Sequence, residues 1–172
     1  MSSLNKSTFY EILLSYLPLL LLFFSVFNEF NFNYIKIENF SFNFIYILIF
    51  YWTLKNPNLL GYLPIFFAGA VNDTVTGLPL GVSSLNYLLI CAVTAYIRDI
   101  TLRPNFLKDW LSFFFTILVL NSFQILILDF IFLFKLNYMI YFVNIGFTFI
   151  LYPLFYLIFD CFNPKKIIKK ND

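Results

Sequence analysis

Three aspartates lie within or beside apolar stretches, and their carboxylates are the side chains here with the most potential for chemistry: Asp73, Asp129 and Asp160. An ionisable group at membrane depth is costly, so each is a candidate functional residue. Asp160 lies one helical turn before a lysine-rich tail and is interpreted as an interfacial residue. Asp129 is interpreted as the partner of Lys135 in a local ion pair. Asp73 has no such neighbour.

Asp73 opens a segment, 73–81, with the composition of a turn between two helices. The segment contains three residues with special backbone conformations: Gly77, Pro79 and Gly81. Glycine adopts positive φ without strain, and proline fixes φ and has no N–H to satisfy. We expect the Asp73 carboxylate to accept hydrogen bonds from nearby backbone N–H groups or from Thr76. A structural turn is favoured over a binding site, and Asp73→Asn is then expected to be tolerated.

Several kinds of catalytic site are excluded by residue type. The chain has no histidine, which excludes histidine zinc sites and Ser–His or Cys–His dyads. It has neither a phosphate-binding Gly-x-x-x-x-Gly-Lys loop nor the paired motifs of an intramembrane aspartyl protease. The two cysteines, Cys91 and Cys161, lie far apart in apolar runs and are interpreted as reduced packing residues. The sequence therefore predicts no enzyme activity, no cofactor and no metal site.

The composition is that of a membrane protein. Hydrophobic residues make up 61% of the 172 positions and charged residues only 12%, against about 25% charged in soluble domains. Such a chain cannot cover itself with polar surface, so its outside is expected to face lipid. The net charge of +2 is too small for a nucleic-acid partner. We predict one all-α integral membrane domain over residues 1–172.

Six apolar stretches predict six transmembrane helices, at residues 9–27, 40–54, 59–71, 82–97, 110–134 and 138–162, before a basic cytoplasmic tail at 163–172. A spanning helix needs about 20 residues. The first, fifth and sixth stretches meet this length, whereas the other three are short. A short segment spans if it thins the bilayer or lies inside the bundle, away from lipid.

The basic residues predict the orientation. With six crossings and both termini in the cytoplasm, every lysine and arginine except Lys36 and Lys135 lies on the cytoplasmic side, as the positive-inside rule requires. Trp52 and Trp110 fall at cytoplasmic ends of their stretches and are predicted to be interfacial anchors. A re-entrant hairpin of the third and fourth stretches would satisfy the same rule. Six spans are favoured, because lipid does not tolerate an exposed hairpin apex.

Four amides are expected at membrane depth: Asn86, Asn121, Gln124 and Asn144. Polar side chains on several helices are typical of solute pathways in transporters. They also join helices by hydrogen bonds worth about 1 kcal/mol each. The second interpretation is favoured because it is the more common one.

The order of several residues resembles that of the rod shape-determining MreD family. The resemblance is carried by Tyr51-Trp52, Pro57, Gly69, Asp73, Gly77, Leu80-Gly81 and Ala95-Tyr96, with Pro153 in an aromatic setting and a basic tail after it. In length and helix order it covers nearly the whole chain, and its specific part spans residues 51–96. The sequence departs from the family at Asn72, usually apolar, and at Ser83-Ser84, where histidine or arginine is frequent.

The resemblance implies a non-catalytic scaffold subunit of the bacterial cell-elongation complex in the inner membrane, supporting cell shape and lateral peptidoglycan synthesis. The implied partners are the bitopic protein MreC and, indirectly, MreB and the peptidoglycan glycosyltransferase–transpeptidase pair. The implied fold is similar to the six-helix substrate-binding subunits of ECF-type vitamin-uptake transporters. That similarity supplies the alternative function, a small-solute-binding subunit, although a shared fold alone does not transfer function.

Overall fold

The computed structural model describes residues 6–27, 41–101, 105–133 and 138–162. These residues form helices without any strand, so the predicted all-α class is confirmed. The helices are α1 Lys6–Phe27, α2 Phe44–Lys55, α3 Tyr62–Thr76, α4 Val82–Ile100, α5 Phe106–Leu126 and α6 Tyr138–Cys161, and α5 continues as a π-helical turn over Ile127–Ile131.

Two of these helices are long and apolar enough to cross a membrane. They are Phe106–Ile131, with 26 residues and a mean hydropathy of 2.1, and Tyr138–Cys161, with 24 residues and a mean hydropathy of 1.9. In α3, 15 residues rise about 22 Å, less than the ~30 Å hydrocarbon core. Two candidate spans within the described ranges support a membrane location. Six full spans stay a prediction.

Helix α2 lies at the centre of the bundle, in contact with α1, α4 and α6. Its eight consecutive residues from Tyr46 to Thr53 are all buried. A helix that is apolar on every side contacts either other helices or lipid, and the burial of these residues shows that other helices surround α2. A short apolar stretch was expected either to thin the bilayer or to lie inside the bundle, and α2 lies inside the bundle.

The central position of α2 corrects the prediction for Trp52. Its side chain is fully buried, and its ring lies 5.3 Å from that of Tyr51 and 6.2 Å from that of Phe159. An anchor must present its ring to the lipid headgroups. Trp52 is instead a core residue. Its position near the end of an apolar stretch does not reveal that other helices cover the ring.

Several helices extend beyond their predicted ends because polar residues lie inside them, and α3 and α5 are examples. Helix α3 continues to Thr76 and includes Asn72 and Asp73, which the sequence assigned to a loop. Both side chains bond to the start of α4. Helix α5 begins at Phe106 rather than 110 and carries Asp109 in its first turn, where the helix dipole favours an acidic side chain.

Trp110 joins α5 to α6 at a proline. Pro153 lies inside α6 and has no N–H to donate to the carbonyl four residues earlier, which belongs to Phe149. The Trp110 indole N–H donates to this carbonyl at 3.1 Å. The Trp110 and Phe149 rings also stack at 4.7 Å with an interplanar angle of 9°. Trp110 is half-buried, and its ring contacts α6 and also stacks on Phe106 of its own helix at 6.1 Å.

Replacing Trp110 by phenylalanine is expected to keep the stacking and remove the hydrogen bond. An unsatisfied buried carbonyl costs about 1–3 kcal/mol, so the free energy of unfolding in detergent should fall by that amount. Pro153→Ala restores an N–H within α6 that bonds to the Phe149 carbonyl. In that background Trp110→Phe should cost less than half as much. If Trp110→Phe lowered the free energy of unfolding equally in the unmodified chain and in Pro153→Ala, the Phe149 carbonyl would not be the group that Trp110 satisfies.

Candidate functional site

The predicted turn is the junction between α3 and α4, and we call residues 62–100, from the start of α3 to the end of α4, the α3–α4 hairpin. Helix α3 ends at Gly77, whose φ of 70° is left-handed. The N–H groups of Gly77 and Leu78 both donate to the carbonyl of Asp73. Gly81, with a φ of 101°, precedes α4. The predicted order of helix end, turn and helix start is confirmed.

Asp73 caps α4 from the neighbouring helix. Its Oδ2 accepts the N–H of Gly81 at 2.7 Å, and its Oδ1 accepts the N–H of Ser83 at 2.9 Å. The first N–H groups of a helix have no partner within it, and a negative charge there is favourable. Thr76, the other predicted partner, donates instead to the Asn72 carbonyl at 2.8 Å. The fully buried carboxylate thus has a structural role in this hairpin.

The two hydrogen bonds reverse the expectation that Asp73→Asn is tolerated. An amide presents one acceptor oxygen and one NH₂ donor. In Asp73→Asn the oxygen can accept only one of the two backbone N–H groups, and the N–H of the other residue, Gly81 or Ser83, would then meet the NH₂ group, which is also a donor. We expect a loss of about 1–3 kcal/mol in the free energy of unfolding, and Asp73→Ala should cost at least as much. Thermal unfolding in detergent measures both, with Asp99→Asn at an exposed position as control. Unchanged stability of Asp73→Asn would contradict the cap.

The conformation of Gly81 gives a second expected result at this junction. An L-residue at a φ of 101° is strained by about 1–3 kcal/mol, and a β-branched side chain is among the least tolerant. Gly81→Val should therefore lower the amount of folded protein in the membrane. An added Cβ meets no atom within 4 Å at Gly81, so the cost comes from the backbone alone. Gly81→Asn should cost less, since asparagine tolerates left-handed φ better.

The two helices of the hairpin approach closely at Gly69. A Cβ added at this glycine would contact the Ser84 Cα and lie 2.6 Å from the Ser84 nitrogen. The Ser84 hydroxyl donates to the Phe66 carbonyl at 3.0 Å. The Asn72 amide donates to the Ser83 hydroxyl at 3.1 Å. The two places at which the sequence departs from the MreD pattern, Asn72 and Ser83-Ser84, are therefore in contact with each other.

A polar cavity of about 360 Å³ lies at the end of the bundle where α1, α3 and α5 end and α2, α4 and α6 begin. All six helices contribute to its lining. Three of the four predicted amides, Asn121, Gln124 and Asn144, are among its lining residues. The fourth, Asn86, is buried outside this lining, and its amide atoms have no hydrogen-bond partner among the described residues.

Hydrogen bonds join the cavity walls, from α5 to α2 and from α6 to the residues just before α2. The Tyr46 hydroxyl donates to Gln124 Oε1 at 3.1 Å, and the Asn144 amide donates to the Ser41 hydroxyl at 3.0 Å. The backbone N–H of Asn43 donates to the Thr148 hydroxyl at 2.9 Å. Gln124 thus bonds α5 to α2, as the sequence predicted, whereas Asn144 bonds α6 to the residues that precede α2. Both amides also line the cavity.

The opposite end of the bundle carries an ion pair. Lys55 Nζ lies 2.8 Å from Asp109 Oδ2 and 5.4 Å from the centre of the Tyr156 ring. Burial lowers the pKa of Lys55, but the hydrogen bond and charge of Asp109 outweigh it, so the pKa is raised. Arg98 Nη1 donates to the Thr53 carbonyl at 3.4 Å. The ends of α2 and α4 and the start of α5 therefore meet here.

The other two candidate aspartates, Asp129 and Asp160, bond to tyrosines. Tyr138 donates its hydroxyl to Asp129 Oδ2 at 3.4 Å, and Tyr51 donates to Asp160 Oδ1 at 3.4 Å. Lys135, the predicted partner of Asp129, lies outside the described residues. Within the described ranges, no group of three or more His, Cys, Asp or Glu side chains is placed to hold a metal ion.

Comparison of the chain with protein-family models, curated proteins and solved structures finds no match in any of the three. The relation to the MreD family is therefore a resemblance carried by individual residues. Seven of those residues belong to the α3–α4 hairpin, and four of the seven have a clear structural role there: Gly69, Asp73, Gly77 and Gly81. Gly69 allows the close contact between the two helices, Asp73 caps α4, and Gly77 and Gly81 adopt the left-handed φ of the turn.

Proposed function

We propose that this chain is a non-catalytic membrane scaffold subunit of a bacterial cell-elongation complex, similar to MreD. The observation that carries the proposal is that several of its MreD-like residues have a structural role in the α3–α4 hairpin. Gly69 permits the close contact of α3 with α4, Asp73 caps α4, and Gly81 supplies the required φ.

The engagement of the buried charges supports a structural role. Both oxygens of Asp73 accept backbone N–H groups, and Asp109 is paired with Lys55. A catalytic carboxylate needs an oxygen within reach of its substrate. The two acids that are most deeply buried are occupied with holding helices together, which a scaffold requires and a catalytic acid or base does not.

The proposed setting is the bacterial inner membrane, crossed six times with both termini in the cytoplasm. The ion pair between Lys55 and Asp109 and the Arg98 contact lie at one end of the bundle, which is the proposed cytoplasmic end. Reporter fusions at Lys55 and Arg103 should indicate the cytoplasm, and a fusion near Lys36 the periplasm. An inverted pattern would overturn the orientation.

The proposed partner is a bitopic MreC-like protein, and through it MreB and the peptidoglycan glycosyltransferase–transpeptidase pair. Co-purification in mild detergent with the MreC-like protein of the same host tests this partnership. An unrelated bitopic protein carrying the same tag is the control. Depletion of the chain in a rod-shaped host should produce round cells. Absence of co-purification together with unchanged cell shape would overturn the proposal.

A second candidate function is a small-solute-binding subunit of a vitamin-uptake transporter. The polar cavity favours it, because solute sites are concave and lined by a few convergent polar groups. The two candidates differ in the outcome of depletion. Loss of a transporter subunit should cause a nutrient requirement that an external vitamin repairs, whereas loss of a scaffold should round the cells whatever the medium contains.

A further inference from the structure

The polar cavity at the proposed periplasmic end is the feature that a scaffold role does not explain. Helix-to-helix hydrogen bonds stabilise a bundle without an open space between the helices. Here about 360 Å³ is left among polar side chains, which lies in the range of about 300–1,000 Å³ typical of small-molecule sites. Packing alone would favour closing such a space.

The described residues that line the cavity are all uncharged. The described residues that face the cavity include serine, threonine and tyrosine hydroxyls and asparagine and glutamine amides, but no Asp, Glu, Lys or Arg. The aromatic side chains of Phe42, Phe44, Tyr87 and Tyr141 are also part of the wall. Among the described lining residues, a charged molecule would find no opposite charge to replace its lost hydration, which is strongly unfavourable. A neutral polar molecule would exchange water for hydroxyls and amides.

Two amides in the wall retain unused hydrogen-bonding atoms. Asn121 is 3% exposed and Gln124 9% exposed. Asn121 donates its Nδ2 to the Ile117 carbonyl, and Gln124 accepts the Tyr46 hydroxyl through Oε1. The hydrogen bonds among the described residues use Asn121 Nδ2 and Gln124 Oε1, and none of them uses Asn121 Oδ1 or Gln124 Nε2. One acceptor and one donor on α5 thus remain for a molecule in the cavity.

We propose that this cavity binds an uncharged small molecule that contains a ring and carries hydroxyl or amide groups, as a nucleoside or an N-acetylated sugar does. Asn121 Oδ1 accepts a hydrogen bond from the ligand and Gln124 Nε2 donates one. The aromatic wall contacts the ring of the ligand. The site does not depend on the scaffold function, because it rests on the cavity and not on the hairpin that carries the MreD resemblance. It names the ligand class of the same cavity that favours the second candidate function.

The charge selectivity of the cavity is tested by thiol labelling. Ser25 lines the cavity, is 4% exposed and donates only to a carbonyl of its own helix, so Ser25→Cys is a mild change. Neutral methyl methanethiosulfonate is compared with its sulfonatoethyl and trimethylammonioethyl analogues in a Cys161→Ser background. Rates are normalised to those at the exposed Cys161 of the unmodified chain. We expect the neutral reagent to react about tenfold faster than either charged one.

Ligand binding is tested on the unmodified protein in detergent with uridine and N-acetylglucosamine as probes. At least one should raise the melting temperature by mass action and slow the labelling of Ser25→Cys, whereas uridine monophosphate should do neither. Gln124→Leu should abolish the rise in melting temperature. As a control, Thr94→Val changes a buried hydroxyl that bonds within its own helix and should preserve it.

Each contrary result overturns a stated part of the proposal. Equal normalised rates for neutral and charged reagents, or no labelling by any of them, would show that the cavity does not admit neutral molecules selectively. No thermal shift with either neutral probe would overturn the ligand class. Neither result bears on co-purification with an MreC-like protein, so the scaffold proposal is tested separately.

Discussion

Gly69→Ala is expected to force α3 and α4 apart and to destabilise the protein more than any other single-methyl addition among its described glycines. The added carbon would lie 2.6 Å from the Ser84 backbone nitrogen and contact the Ser84 Cα. Overpacking ordinarily costs about 1–3 kcal/mol. Here the obstacle is backbone and cannot rotate away, so we expect about 3 kcal/mol or more, measured as the free energy of unfolding in mixed micelles.

The chain contains a matched control for this substitution. Gly146 is also inside a helix, and a Cβ added there meets no atom within 4 Å. Alanine is favoured over glycine in a helix interior by about 1 kcal/mol, so Gly146→Ala should be neutral or stabilising. The obstacle at Gly69 is backbone, so Ser84→Ala should not rescue Gly69→Ala. Rescue, or equal stability of the two glycine variants, would contradict the close crossing.

The helices were the part of the fold that the sequence specified well. The starts of α4 at Val82 and α6 at Tyr138 match the predicted ones, because a change from turn residues to an apolar run marks both. The end of α3 was placed too early. Hydropathy assigns Asn72 and Asp73 to a loop, whereas their hydrogen bonds to α4 allow polar residues inside a helix.

Contacts between distant residues were not predictable from local patterns. The burial of Trp52 depends on which helices surround α2, and nothing in the stretch 40–54 indicates this. One feature of the sequence does indicate the hydrogen bond between Trp110 and Phe149. A proline within an apolar helix leaves the carbonyl four residues earlier without a partner, and a tryptophan on another helix is a suitable donor.

The candidate sites also differ in whether they depend on local sequence or on contacts between distant residues. The turn 73–81 was identified from Gly77, Pro79 and Gly81, since their backbone requirements are local. The cavity was not identified, although three of its amides had been singled out. Asn121, Gln124 and Asn144 lie on two helices, and only the packed bundle shows that they enclose a space with Tyr46 and Ser41.

Lys55→Met is expected to have the second large effect, because it leaves a buried carboxylate without its counter-charge. Asp109 is only 3% exposed, whereas the Lys55 side chain is 20% exposed. Removing one partner of a buried ion pair costs about 3–5 kcal/mol. The reverse change, Asp109→Asn, should cost less, because the long Lys55 side chain can extend its ammonium group into water.

The double variant Lys55→Met/Asp109→Asn separates the ion pair from the packing of the two side chains. With no charge left to desolvate, it should be more stable than Lys55→Met alone, and the free energy of unfolding in detergent measures the difference. Because the pKa of Lys55 is raised above its ordinary value of 10.5, the stability contributed by its charge is fully present below pH 10.5. That contribution is lost only as the pH rises through the higher folded value. If Lys55→Met and Asp109→Asn cost the same, the unequal burial of the two partners would not govern the stability of this end of the bundle.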